Sequence, residues 1–161
     1  SVLATGDGVN QPLGFTALPL GALPTETPVD ASVSGHWYTP EFSGQGFAFT
    51  PKPDENRLLG SWYAFDASGN RIWFTLDSAA AGLGTAAATG GGFNSRSAEL
   101  AVLSTTGGRF LASDRVQTTQ VGRVRVDFAD CRTAVAEIRL DGQPVRSIPL
   151  LNLTPSGICS L

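Results

Sequence analysis

The chain has no methionine, one histidine, one lysine and two cysteines in 161 residues, and charged residues make up only 16% of it. Each scarcity removes a class of function. A single His36 leaves little base for a Ser-His-Asp relay, and no Gly-x-Ser-x-Gly elbow accompanies it. Ten of the eleven basic residues are arginine, Lys52 being the exception, and they form no cluster, while the net charge is −3. A phosphate-backbone partner, which calls for a basic stripe, is therefore not expected. No apolar run approaches the ~20 residues of a membrane-spanning helix. Cys131 and Cys159 lie far from any second cysteine or histidine at metal-ligand spacing, so no metal or other cofactor is expected. Ser1 opens the chain without Met, and the expectation is a mature form whose targeting segment has been removed.

What the sequence does have is a repeat. Gly35-His36-Trp37-Tyr38, four residues, then Ser43-Gly44-Gln45-Gly46-Phe47-Ala48-Phe49 is followed by Gly60-Ser61-Trp62-Tyr63, four residues, then Ser68-Gly69-Asn70-Arg71-Ile72-Trp73-Phe74. Gly, Trp, Tyr, Ser, Gly and the last Phe recur at identical offsets. An aromatic strand, a polar Ser-Gly turn and a second apolar strand describe a β-hairpin, here in tandem.

Strands are expected near 35–39, 45–51, 57–65, 71–77, 98–104, 108–113, 119–128, 134–140 and 145–151. Val124, Val126 and Phe128 alternate with Arg123, Arg125 and Asp127, and Asp141-Gly142 marks the final hairpin. Residues 79–92 are rich in Ala and Gly; a helix around Ala79–Ala81 is one reading, but the glycine content argues for a thin strand and a wide loop. The fold class is all-β: a small antiparallel up-and-down barrel or sandwich of about eight strands, spanning 35–161. Residues 1–34 precede it as an extended arm. Pro12, Pro19, Pro24 and Pro28 exclude helix there, and Phe15, Leu18, Leu20 and Leu23 are spaced apolar anchors.

The motif Gly35-x-Trp37-Tyr38-x-Pro40-x-x-Ser43-Gly44-Gln45-Gly46-Phe47, with Trp62-Tyr63-x-x-Asp66-x-x-Gly69-x-x-x-Trp73, resembles one that recurs in a family of uncharacterised exported β-proteins of Gram-negative bacteria. Asp130-Cys131 also has a counterpart there. The resemblance covers about residues 35–151 and implies location and fold rather than an activity. A weaker likeness, through Gly-x-Trp-Tyr alone, is to avidin-type barrels. Independently of either, a Cys131–Cys159 disulfide is expected, and with it an exported protein at the cell surface, outside the cell or in the periplasm.

The carboxylates Glu41, Asp54, Glu55 and Asp66 fall in expected turns, and Asp66-Ala67-Ser68-Gly69-Asn70 lacks the glycine and bidentate glutamate of a calcium loop. Catalysis is not expected. Two non-catalytic readings stand, of which the first is the expected one and the second the alternative. In the first, the protein is structural or adhesive and assembles with copies of itself, even into filaments, as Phe15, Leu18, Leu20 and Leu23 of the arm dock on a neighbour. In the second, Trp37, Tyr38, Trp62, Tyr63 and Trp73 supply a face that binds a glycan, a flat ligand or another surface protein. Within each Trp-Tyr pair the rings must point to opposite faces, so only part of that set can be exposed. The plainer alternative is that the rings fill a small core.

Overall fold

The computed structural model describes residues 30–81, 96–112, 115–155 and 159. Phe15, Leu18, Leu20 and Leu23, and with them the arm's assembly role, lie outside the described residues.

Eight strands run in chain order: β1 (Gly35–Tyr38), β2 (Gly46–Lys52), β3 (Arg57–Phe65), β4 (Arg71–Asp77), β5 (Ser97–Thr106), β6 (Gln117–Phe128), β7 (Thr133–Leu140) and β8 (Arg146–Asn152). Each pairs antiparallel with the next, and β8 returns to β1 to close a barrel. Closure rests on Trp37 opposite Asn152 and Tyr38 opposite Leu151, with Leu153 N–H donating to the His36 carbonyl at 2.7 Å. A closed ring leaves no unpaired strand edge. Among the described residues no helix is long and apolar enough to cross a membrane.

Two expectations need correction. The strand expected at 108–113 is not found at residues 108–112, and residue 113 lies outside the described residues: β5 and β6 run on to Thr106 and Gln117, and between them the described residues form a loop with one isolated bridge, Arg109 to Ala112. Gly107, at φ +79°, breaks the extended backbone there. Helix is not wholly absent before residue 35 either. Ala31–Val33 form a single 3-10 turn, capped where the Asp30 carboxylate accepts from Ser32 N–H at 2.7 Å. Ala79–Ala81 form another 3-10 turn; most of the Ala/Gly-rich segment lies outside the described residues.

Alternation along the strands sends one side chain in two to the barrel interior. Trp37, Phe47, Phe49, Leu58, Leu76, Leu100, Val102, Val124, Val126 and Leu150 are almost completely buried there. Six rings form a continuous series through it. Phe128 meets Trp37 edge-on at 5.3 Å, Trp37 meets Phe49 at 6.4 Å, Phe49 stacks on Phe47 at 5.7 Å, Phe47 on Trp62 at 5.6 Å, and Trp62 leans on Phe74 at 5.1 Å. At the Trp37 end the barrel is plugged by Val33, whose carbonyl accepts from the indole N–H at 3.0 Å. At the other end, where residues 39–45, 66–70, 107–116 and 141–145 connect the strands, it opens.

Near the plugged end Asp77 is nearly buried and accepts from Arg57 Nε at 2.9 Å and Nη2 at 2.5 Å, and from Ala79 N–H at 2.9 Å. The Arg57 hydrogen bonds hold its carboxyl below the ordinary range against the opposing effect of burial. A carboxylate depressed in the fold stabilises it fully above the unfolded-state pKa and loses that contribution as pH falls through the folded value. Asp77→Asn is therefore expected to cost about 2 kcal/mol at neutral pH. The loss falls short of that for a fully buried pair because Arg57 remains a third exposed. Melting curves should show the gap between variant and parent closing below about pH 4. A gap that stays constant into acid would refute the assignment.

Candidate functional site

The tandem hairpins place the five aromatic residues of the repeat, but not on one face. Trp37 and Trp62 point inward, at 1% and 8% exposure, and join the core. Their removal from the expected ligand face is a correction forced by alternation: an inward Trp makes its neighbouring Tyr outward. Tyr38 is half-buried on the outer wall, whereas Tyr63 and Trp73 are 50% and 59% exposed.

Register brings these three into line. Tyr38 lies opposite Gly46, Gly46 opposite Tyr63, and Tyr63 opposite Trp73, so one cross-strand row traverses β1 to β4. The row is not what simple duplication of the hairpin would produce. Shifting the first hairpin by the repeat distance would set Tyr63 opposite Arg71, yet Tyr63 pairs with Trp73 and Phe65 with Arg71. The β3–β4 turn causes the difference. The Asp66 carboxylate accepts from Ser68 N–H at 2.9 Å, Asn70 N–H at 2.8 Å and Asn70 Nδ2 at 3.0 Å, and the Asp66 and Asn70 main chains bond at 2.9 Å. This tight Asx turn lets β3 run to Phe65, whereas β1 stops at Tyr38 before a wider loop. The same hydrogen bonds, those from Asn70 foremost, hold the Asp66 carboxyl below its ordinary range.

Gly46 keeps the row open. A Cβ there would collide with the main chain of Trp37 and Tyr38, so the strands meet too closely for any side chain. The result is a groove of about 420 Å³ whose lining includes His36, Tyr38, Ser43, Gln45, Gly46 and Tyr63. Beside it runs the next outward row, His36, Ala48, Ser61 and Thr75, again in register across four strands. Its short side chains form a low shelf with imidazole and hydroxyl groups. Composition shows neither row. Parity within each strand predicts which residues face out, but Gly46, Ser61 and Thr75 become neighbours of the rings only through pairing.

The remaining candidates do not converge. Asp54 and Glu55 belong to the 3-10 turn between β2 and β3, where Glu55 pairs with Lys52 and Arg57, while Glu41 and Asp66 lie at the opposite end of the barrel. His36 is exposed on the outer wall. Among the described residues no group of three His, Cys, Asp or Glu side chains could hold a metal ion. Cys131 and Cys159 are joined in a disulfide with Cα atoms 5.7 Å apart, which is compatible with an oxidising compartment.

No protein-family model, curated protein or solved structure matches this chain.

Proposed function

We propose that this protein is an exported, non-catalytic binding module that holds a glycan chain across the outer face of β1–β4. This is the alternative of the two non-catalytic readings of the sequence; the arm-docking one rests on residues outside the described ones. The observation that carries it is the registered row Tyr38, Gly46, Tyr63, Trp73 lying beside the polar shelf His36, Ala48, Ser61, Thr75.

Sugar rings present apolar C–H faces and a belt of hydroxyls. Aromatic faces stack on the first, and side-chain hydroxyl, amide and imidazole groups hydrogen-bond the second. Strands about 4.8 Å apart make a four-strand row roughly 14 Å long, the size of a short oligosaccharide rather than a single sugar. The groove over Gly46 lets the chain sink between Tyr38 and Tyr63 instead of perching on them. Because the platform belongs to a closed sheet, little ordering accompanies binding. Each exposed contact is weak, so dissociation constants of about 10–1,000 µM are expected, with surface avidity supplying the rest.

A glycan array probed with the intact protein, followed by calorimetry on the best oligosaccharide, tests the reading. Trp73→Ala and Tyr63→Ala should each weaken binding about tenfold while leaving the melting temperature within a degree or two. Absence of oligosaccharide binding at millimolar concentration, or full affinity in the double variant, would sink it.

A further inference from the structure

We infer that the open mouth of the barrel is a second binding site, adjoining the outer groove at Thr39, Gln45, Gly46 and Phe47, for a small molecule with a flat apolar body and an acidic group at its outer end. A cavity of about 470 Å³ occupies this end, within the span of small-molecule sites. Its wall includes Phe47, Trp62, Ala64, Phe74, Ile138 and Ile148. Trp62 and Phe74 end the interior series of rings, so they reach the cavity already braced: Trp62 is stacked from behind by Phe47. A ring sliding into the mouth would extend that series by one member.

Three polar features fix orientation. Thr39 lines the cavity, is only 1% exposed, and its Oγ1 has no hydrogen-bond partner among the described residues. An unpaired buried hydroxyl is costly, and a polar atom on a guest would satisfy it. Asp66 and Arg146 also border the mouth. Asp66 is committed, its oxygens accepting the three hydrogen bonds of the β3–β4 turn. Arg146, opposite Ile138 on β8, has no ion-pair partner among the described residues. Of the two charged residues lining the cavity, Arg146 is thus the one whose polar atoms are open to a guest, and it sits outside an apolar interior. A guest complementary to this arrangement carries its apolar rings inward and its carboxylate or sulfonate outward. Phe42 and Phe65, each 42% exposed on the rim, would lose water against such a guest.

The test titrates the intact, disulfide-bonded protein with 8-anilinonaphthalene-1-sulfonate and its uncharged counterpart N-phenyl-1-naphthylamine, following dye fluorescence. Both dyes should bind saturably with one site per chain. Ala64→Phe, which fills the cavity from its wall, should abolish both. Arg146→Gln should weaken the sulfonate roughly three- to fivefold and leave the neutral dye within twofold. Thr39→Val should weaken both about threefold, since each dye carries an amine N–H able to donate to Oγ1. Trp73→Ala should change neither, which separates this site from the outer one. Non-saturable fluorescence, or undiminished binding in Ala64→Phe, overturns the site. Equal effects of Arg146→Gln on the two dyes overturn the acidic end of the guest, and full affinity in Thr39→Val removes the hydroxyl's part. Should Ala64→Phe fail to fold, as its melting curve would show, Ile148→Trp blocks the same cavity from β8.

Discussion

Trp37→Ala is expected to destabilise the protein by about 4 kcal/mol, among the largest single-residue losses in the fold. The indole is 1% exposed, is touched edge-on by Phe49 and Phe128, and donates its N–H to the Val33 carbonyl. Truncation removes apolar burial, leaves a cavity at the plugged end, and orphans a buried carbonyl. The cavity cannot readily collapse, because its walls are strands locked to both neighbours around a closed ring. Trp37→Phe should recover much of the packing but not the hydrogen bond, leaving a loss of about 1–2 kcal/mol. Urea unfolding measures both, and a Trp37→Ala loss under about 1.5 kcal/mol would contradict the account. The comparison with Trp73→Ala is instructive. The same chemical change on the outer wall should move stability far less, because that ring stays more than half exposed.

The second large effect is expected from the disulfide. Cys131 and Cys159 are 28 residues apart, and the loop they close contains all of β7 and β8. On the chain-entropy account, the Cys131→Ser/Cys159→Ser double variant should lose about 3–4 kcal/mol. The bond acts beside the ring closure. The turn before β7 is ordered by Asp130, whose carboxylate accepts from Arg132 N–H at 2.7 Å and Thr133 N–H at 2.6 Å. Asn152 Nδ2 donates to the Cys131 carbonyl at 3.0 Å, and Asn152 also faces Trp37 across the closing seam. Losing the covalent link frees the segment that carries β8 to β1. Denaturation with and without reductant reads the difference in the parent, and the double variant should show no response to reductant. Matching unfolding midpoints for the oxidised parent and the double variant would disprove a stabilising role.

Much of this fold is written in side-chain alternation. Val124, Val126 and Phe128 inward against Arg123, Arg125 and Asp127 outward is legible residue by residue, and so is the Asp141-Gly142 hairpin, where Gly142 takes φ +73°. The 108–113 segment misled because apolar Phe110 and Leu111 suggest a strand, whereas they sit at a loop tip, 94% and 91% exposed. Burial is a property of where a segment ends up, and a short apolar run does not specify it. The outer site was half legible. That the Trp and Tyr of each pair oppose one another follows from strand geometry. Which of the two turns inward depends on closure of the ring, and the meeting of Tyr63 with Trp73 depends on the turn at Asp66. Register is decided by loops as much as by strands.

The three tryptophans have been distributed among three kinds of place: Trp37 at the plugged end, Trp62 beneath the mouth, Trp73 on the outer wall. Their light emission is therefore already partitioned. An indole in an apolar interior emits to the blue of one in water, so Trp73 supplies the red side of the spectrum and Trp37 the blue. A guest on the outer face would perturb the first, a guest in the mouth would perturb Trp62, and loss of the core would shift Trp37. Trp62, 8% exposed, emits with Trp37 on the blue side, so the molecule carries a two-colour optical record of its interior and its outer wall, with no label to add.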